Sequence, residues 1–149
     1  MIKPLEHKEL QTAEKILEIS HQSYEIEASI IGADSFPPLR ETTIDILESG
    51  NLFYGFMTHH ELVAVIEFED QVECWLIARL VVHPSFFRQG IASQLILFAK
   101  KSLGSCIVST AENNIPAISL YEKLGFIKQP ASRKVSLGIK LIQLKYTLT

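Results

Sequence analysis

The segment from Leu80 to Ser93 carries the clearest chemical signal in the chain, because a strand pattern ends there and a helical pattern begins with a glycine in its first turn. The first N–H groups of a helix have no intrahelical acceptor and carry partial positive charge. An anion at that end can accept several of them at once. Gly90 lets a bulky phosphate approach the backbone, and Arg88 adds a charged, forked donor. The alternative is an ordinary strand-to-helix turn in which Gly90 meets a steric need.

A second segment, Glu112–Phe126, places Asn114, Ala117 and Tyr121 at spacings of three and four residues. These side chains lie on one face of a predicted helix. A polar cap, a small residue and a phenol on a common stripe are suited to lining a groove. The alternative is that Tyr121 packs in the core with its hydroxyl satisfied.

Together the two segments resemble the motifs of the GNAT (Gcn5-related N-acetyltransferase) superfamily. The first family motif runs roughly L-x-V-x-P-x-x-[QR]-x-x-G-x-[GA], and five of its positions are held here by Leu80, Val82, Pro84, Gly90 and Ala92. The second runs roughly N-x-x-A-x-x-x-Y-x-x-x-G-F and is filled completely by Asn114, Ala117, Tyr121, Gly125 and Phe126. The one departure is Phe87, which stands where the family usually has Gln or Arg.

The resemblance implies direct transfer of an acetyl group from acetyl-CoA to a primary amine in a ternary complex. It implies that the pyrophosphate is held by Arg88, Gln89, Gly90, Ile91, Ala92 and Ser93. The pantetheine arm would pair with the backbone at Leu80, Val81 and Val82, in a splay between two strands. Asn114, with Ala117 beside it, would bind the pantetheine amide, and Tyr121 would protonate the leaving thiolate.

The acceptor amine must lose a proton before it attacks, so a general base is expected. The candidates are Glu67, Glu69 and Glu73, on or beside the central strands. Glu67 is selected because it stands mid-strand between apolar neighbours. The alternatives are a base that acts through water, or carboxylates that are simply solvated.

The acceptor site implied by the resemblance is built from the N-terminal helices and the loop after them. The residues expected there are Tyr24, Glu27 and Phe36, an aromatic and acidic set that suits a cationic amine. Arg79 is unusual within an apolar strand and is expected to face the acceptor or a carboxylate, with a surface-facing side chain as the alternative.

Two other classes of function are considered beside the enzyme. A non-catalytic acyl-CoA-binding sensor or regulatory module would keep the cofactor segment and Asn114 but would need neither Tyr121 nor a base. A structural or interaction domain would need neither motif.

The elements that must position these residues follow from apolar periodicity. The short apolar start Ile2–Leu5 is a candidate edge strand. Apolar positions at helical spacing predict a helix from Lys8 to about Tyr24, a further helical piece to Gly32 and a short helix over Thr42–Ser49. Three antiparallel strands are predicted at Leu52–Met57, Leu62–Phe68 and Val72–Val82.

The remaining elements alternate between helix and strand. They are a helix over Arg88–Leu103, a strand over Ser105–Thr110, a helix from Asn113 or Asn114 to Leu124, a strand that starts at Phe126–Lys128 and a strand over Ile139–Leu148 with a bulge near Ile142 and Gln143. The predicted fold is an α/β (α+β) domain. It has a mixed, mostly antiparallel sheet of about seven strands flanked by about four helices.

Composition limits the function classes. The 149 residues are 47% apolar and 21% charged, which favours one globular domain over residues 1–149. Residues 1–73 hold 15 acidic and 4 basic side chains, a net charge of −11, whereas residues 74–149 sum to +8. The acidic total argues against a nucleic-acid partner, and the split suits an anion bound in one half and a cation in the other.

Other counts argue against further classes of site and partner. No apolar run is long enough for a bilayer, and no secretory signal is present. Two cysteines are too few for a disulfide framework, so a cytoplasmic location is expected. The five histidines suggest no metal site. The partner expected is a small-molecule or protein amine, and a homodimer is left open.

Overall fold

The computed structural model describes residues 1–136 and 138–148, with the backbone alone for residues 131–134 and 136. The described part of the chain forms seven strands, β1 Ile2–Pro4, β2 Leu52–Thr58, β3 Glu61–Asp70, β4 Trp75–Val82, β5 Cys106–Ala111, β6 Ile127–Ser136 and β7 Ile139–Tyr146. It also forms four α-helices, α1 Leu10–Ile31, α2 Thr43–Glu48, α3 Ile91–Ser102 and α4 Ile115–Lys123. Two short 3-10 turns lie at Pro37–Arg40 and Pro84–Phe86.

The seven strands form one sheet in the order β1-β2-β3-β4-β5-β7-β6. Neighbouring strands are antiparallel except β4 and β5, which are parallel because α3 carries the chain across between them. The predicted fold class, a mostly antiparallel mixed sheet with about seven strands and four helices, is confirmed.

The parallel pair β4 and β5 separates after two rungs. Trp75 pairs with Cys106 and Leu76 with Ile107, and no later residues of the two strands pair. On its other edge β4 stays bonded to β3, with a register shift that leaves Ala78 as an extra residue. The sheet is therefore split between Ile77–Val82 and the end of β5, which is the splay that the family resemblance implies.

Apolar residues of both faces of the sheet are covered by helices. On one face Ile16 and Ile19 of α1 pack with Phe53, Val65 and Val81. On the other face α3 and α4 pack on β3, β4, β5 and β7, with a core that includes Ile66, Phe68, Leu95, Ile96 and Leu144. Alternate residues of β3 and β4 thus feed two cores, since successive strand side chains point to opposite faces.

The N-terminal helix is longer than predicted, since the two helical pieces expected to meet at Tyr24 form one helix, Leu10–Ile31. No proline or glycine lies within it, and buried apolar residues continue to Ala28 and Ile31. It ends where Gly32 takes a left-handed conformation with φ 70°.

Two other predicted elements begin later in the chain than expected. The third strand begins at Trp75 instead of Val72, because Val72 lies in a turn with φ 71° and is 94% exposed. The helix expected from Arg88 begins at Ile91, because Arg88 and Gly90 have φ of 62° and 75°, values incompatible with a right-handed helix.

The bulge expected in the last strand, β7, lies instead in the neighbouring strand β6. Ile142 and Gln143 pair with Thr110 and Ser109 of β5 without interruption. The register shift falls in β6, between Gln129 and Lys134.

Candidate active site

A cavity of about 910 Å³ occupies the split between β4 and β5. Its lining has two parts. The cofactor part comes from β4, the turn before α3, the start of α3, β5 and α4. The acceptor part comes from α1, the 3-10 turn Pro37–Arg40 and β7. The cavity therefore joins the predicted cofactor end to the predicted acceptor end.

The turn before α3 presents a row of backbone donors to the cavity. Among the described residues, none accepts a hydrogen bond from the N–H groups of residues 88–93, and α3 has no side-chain cap. The first intrahelical bond runs from the Gln94 N–H to the Gly90 carbonyl at 3.1 Å. A Cβ added to Gly90 would meet nothing within 4 Å. Gly90 is therefore required by its left-handed backbone, and the space beside it is open.

The free edge of β4 is the second backbone feature. The His83 N–H donates to the Val63 carbonyl at 2.8 Å, which sets the alternation of hydrogen bonds along this antiparallel pair. The N–H and C=O groups of Leu80 and Val82 consequently point away from β3, toward the split. Both residues line the cavity.

Helix α4 brings Asn114, Ala117 and Tyr121 to the cavity, as their spacing predicts. Asn114 Oδ1 caps the helix by accepting from the Ala117 N–H at 3.3 Å. Asn114 Nδ2 makes no hydrogen bond with any other described residue, so a donor remains available. The Asn113 amide instead donates to the Ile31 carbonyl at 2.8 Å and ties the end of α1 to this loop.

Tyr121 is buried, and its ring packs edge-on against Phe126. Its hydroxyl makes no hydrogen bond with another described residue and lies in the cavity wall. Burial raises the pKa of Tyr121 above the ordinary 10.0, and the negative charge of Glu27 raises it further. Tyr121 therefore stays neutral throughout the physiological pH range.

The acceptor end is mostly apolar. Tyr24 packs edge-on against Phe36, with ring centroids 5.9 Å apart, and Ile26, Ile30 and Leu141 add aliphatic surface. Burial raises the pKa of Tyr24, so this phenol also stays neutral.

Glu27 is the one carboxylate among the described residues that line the cavity. It makes no hydrogen bond or ion pair with another described residue. Burial raises the pKa of Glu27 above its ordinary 4.5.

Arg79 lies at the centre of a buried ion-pair cluster. Its Nε donates to Glu67 Oε1 at 2.8 Å, and its two terminal nitrogens donate to both oxygens of Glu41. Nη1 also donates to Ser20 Oγ at 2.7 Å, and the guanidinium lies 5.5 Å from the centre of the Phe53 ring. Of the two orientations considered for Arg79, the side chain faces carboxylates and is 5% exposed.

Three of the predicted site residues are not brought to the cavity. The side chain of Val81 packs under α1 and its backbone pairs with Val65 of β3. Gln89 is exposed in the turn. Glu67, the predicted base, is 6% exposed, and its two oxygens accept hydrogen bonds from Arg79 and from Asn51 Nδ2, the latter at 2.8 Å.

The other two base candidates also lie away from the cavity lining. Glu69 accepts a hydrogen bond from Gln71, and Glu73 is exposed in the turn before β4. The cluster residues Ser20, Glu41 and Asn51 were not predicted, because they are far apart in sequence and only folding brings them to Arg79. The buried arginine was their sole signal.

No group of three or more His, Cys, Asp or Glu side chains that could hold a metal ion occurs in the part of the chain that the structure describes. No helix within residues 1–136 and 138–148 is long and apolar enough to cross a membrane.

Comparison with known proteins places this arrangement in a family. The sequence model of the acetyltransferase (GNAT) domain matches residues 49–128, just over half of the chain. The chain is 41% identical over 131 residues to the UPF0157 protein YqkA of Bacillus subtilis (strain 168), a match that covers 86% of this chain and 38% of that protein. The chain therefore spans about two fifths of the length of this curated relative.

Solved structures share the fold. The PaiA N-acetyltransferase of Thermoplasma acidophilum, in complex with coenzyme A, superposes with a TM-score of 0.77 at 19% identity and covers 98% of both chains. The ribosomal-protein-S18-alanine N-acetyltransferase of Escherichia coli gives a TM-score of 0.74 at 15% identity, over 100% of this chain and 94% of that one.

Proposed function

This chain belongs to the GNAT acetyltransferase family, and we propose that it transfers an acetyl group from acetyl-CoA to the nitrogen of a primary amine, by direct attack while both substrates are bound. The observation that carries the proposal is the single cavity in the β4–β5 split. Its lining includes free backbone donors and Asn114 from the turn, α3 and α4, an aromatic and acidic surface from α1 and the 3-10 turn, and Tyr121. The cytoplasmic location expected from the cysteines stays a prediction.

The cofactor end fits coenzyme A in three separate features. The N–H groups of residues 88–93 and the start of α3 suit a pyrophosphate. The unpaired β4 edge at Leu80 and Val82 suits an extended arm with amide groups, which would pair there as an added strand. Asn114 Nδ2 is a free donor for a carbonyl of that arm. Phe87, exposed at the cavity, adds no charge, so the side-chain charge at this turn comes from Arg88.

The chain's own groups suit each proton and charge change of acetyl transfer. A backbone N–H near Val82 would stabilise the oxygen that becomes negative when the amine attacks the thioester carbonyl. Tyr121 would donate its proton to the sulfur as the carbon–sulfur bond breaks. The thiolate is a weaker base than a buried phenolate, so Tyr121 acts as a positioned donor.

Steady-state kinetics tests the proposal. Purified protein is mixed with acetyl-CoA and a broad panel of primary amines, and released CoA is trapped with a thiol reagent. We expect CoA release that depends on the amine, with double-reciprocal lines that intersect, as direct transfer in a ternary complex requires. Parallel lines would contradict direct transfer.

The second candidate, a non-catalytic acyl-CoA sensor, is distinguished by calorimetry. Such a module would bind acetyl-CoA and release no CoA with any amine. The neutral, free hydroxyl of Tyr121 at the cavity favours the enzyme, since a sensor has no need of a proton donor there. A structural domain without a cofactor would bind no acetyl-CoA at all.

A further inference from the structure

The acceptor end of the cavity has few charged side chains, and this bears on the substrate. The charged side chains among the described lining residues are Glu27, Arg79 and Arg88. Arg88 stands in the cofactor turn, and Arg79 is held by Glu41 and Glu67. Glu27 is thus the carboxylate left to meet an acceptor.

The surface around Glu27 is largely hydrocarbon. Ile26, Ile30, Phe36, Pro37 and Leu141 line the same cavity, with Ser23 and the neutral phenol of Tyr24 as polar groups. A second or third ammonium group on an acceptor would be desolvated against this wall without a counter-charge, which is unfavourable. A hydrocarbon or aromatic substituent would instead gain from leaving water.

We propose that the acceptor is a primary amine with a single positive charge on a largely apolar body, and that Glu27 receives its ammonium group and takes the proton that leaves before attack. This inference rests on the proposed N-acetyltransferase function and deepens it. It also moves the role of general base from Glu67, which the sequence favoured, to a residue that sequence reasoning placed in substrate binding.

The position of Glu27 relative to Tyr121 supports this role. Glu27 and Tyr121 line the same cavity, and the charge of Glu27 contributes to the raised pKa of Tyr121. The titratable groups on which the charge of Glu27 acts are Tyr24 on its own helix and Tyr121 on α4. Arg79 of β4 lines the same cavity and is paired with Glu41 and Glu67. Burial raises the pKa of Glu27, which makes the carboxylate a better base than a solvated one.

The reaction balances with these two groups. Glu27 takes one proton from the ammonium group, and the free amine forms a carbon–nitrogen bond with the acetyl carbon. The carbon–sulfur bond then breaks, and Tyr121 gives its proton to the sulfur. The second proton leaves the amide nitrogen and returns Tyr121 to its phenol form. Glu27 finally releases its proton to solvent, so the products are the amide, CoA and one proton.

The test uses the whole chain and three amines, phenethylamine, spermidine and an aminoglycoside such as kanamycin, at saturating acetyl-CoA. We expect kcat/KM for phenethylamine to exceed that for spermidine by about tenfold or more, since spermidine must bury unpaired charge. A preference for spermidine or kanamycin would overturn the inference while upholding the proposed function. Binding of acetyl-CoA without turnover of any amine would instead overturn the proposed function.

Variants test the role of Glu27 itself. Glu27→Gln should lower kcat with phenethylamine by about 10²-fold or more and remove the acidic limb of the pH profile of kcat/KM. The loss should be much smaller with trifluoroethylamine, which is already neutral near pH 7. The matched control is Glu25→Gln, the same change at an exposed position of the same helix, which should leave rates unchanged.

Glu67→Gln separates the two candidate bases. If the acidic limb vanishes in Glu67→Gln and persists in Glu27→Gln, the base assignment is overturned. If both variants fold and the limb vanishes in Glu27→Gln alone, it is upheld. Glu27→Asp retains the carboxylate and should recover part of the lost kcat, a result that a purely structural role for Glu27 would not give.

Discussion

Tyr121 and Glu27 face one cavity, and burial changes the protonation of both in the same direction. For Tyr121 the raised pKa keeps the phenol protonated, so that it can donate. For Glu27 the raised pKa makes the carboxylate a stronger base than a solvated one. One physical cause, the removal of water, thus suits both side chains to the opposite proton transfers that we propose for them.

Tyr121→Phe tests the donor at the scale of one residue. The variant keeps the ring that packs on Phe126 and loses the hydroxyl, so kcat should fall by roughly 10²-fold while acetyl-CoA binding stays unchanged. Because the pKa of Tyr121 lies above 10.0, kcat of the parent protein should show no decline from this group up to pH 10.

The control for this change is Tyr54→Phe. Tyr54 packs against Phe68 and Phe98 and lies outside the cavity lining, so its loss of a hydroxyl should leave kcat unaltered. Turnover by Tyr121→Phe at the parental rate would refute the proposed role of the phenol.

The turn between β4 and α3 leaves backbone N–H groups unpaired because of its conformation. Left-handed conformations at Arg88 and Gly90 stop the helix from starting early and leave the N–H groups of residues 88–93 without partners in the described chain. A left-handed conformation is sterically unfavourable for a residue with a Cβ, and it is not unfavourable for Gly90. This element therefore depends on one glycine more than on any charged side chain.

Gly90→Ala tests the element. Its φ of 75° makes alanine strained, so stability should fall by about 1 kcal/mol. The added methyl group lies at the anion-binding turn, so the Kd for CoA should rise by about tenfold or more. Thermal unfolding and calorimetry measure the two effects.

Gly32→Ala is the matched control for the turn. Gly32 has φ 70°, has nothing within 4 Å of an added Cβ and ends α1 away from the cavity lining. It should lose similar stability and bind CoA with unchanged affinity. Equal weakening of CoA binding in both variants would contradict a direct role for Gly90.

At the scale of the whole molecule, the buried Arg79 cluster joins elements that the sheet alone does not hold. It connects Ser20 of α1, Glu41 before α2, Glu67 of β3 and, through Glu67, Asn51 before β2. The acceptor end of the cavity is built on two of these segments. The ion pairs consequently fix the acceptor end against β4, the strand whose free edge forms the cofactor end.

Arg79→Leu tests this connection. The change leaves the buried Glu67 carboxylate without its cation, and the free energy of unfolding should fall by about 3–5 kcal/mol in urea denaturation. Arg40→Leu removes an exposed arginine bonded to Ser35 and should change it by no more than about 0.5 kcal/mol. Equal, small losses in both variants would show that the cluster contributes little.

The charge split along the sequence also has a counterpart in the whole molecule. The acceptor-end lining from α1 and the 3-10 turn at Pro37–Arg40 lies in the half with a net charge of −11, and the turn, α3 and α4 of the cofactor end lie in the half with +8. The split suits the phosphates of CoA at one end and an ammonium group at the other.

The order of elements and the family could be predicted from the sequence, because both depend on local patterns. Alternating and helical periodicities predicted the strands and helices, and Gly90 and Asn114 marked two helix starts. Errors fell at ends such as Val72 and Arg88, whose left-handed backbone leaves no mark in the apolar pattern, and at the bulge, which lies in β6 and not at Ile142 and Gln143.

The sequence by itself determined the fold class, the cofactor-side motifs and the stripe of Asn114, Ala117 and Tyr121, since neighbours on one strand or helix keep their relation in any fold. Only the tertiary structure decided which carboxylate faces the cavity. The mid-strand position of Glu67 favoured it as the general base, but Arg79 lies opposite it in register and forms an ion pair with its carboxylate. Glu27, on a distant helix, meets no such partner among the described residues, because a pairing between remote elements is fixed by packing and not by local sequence.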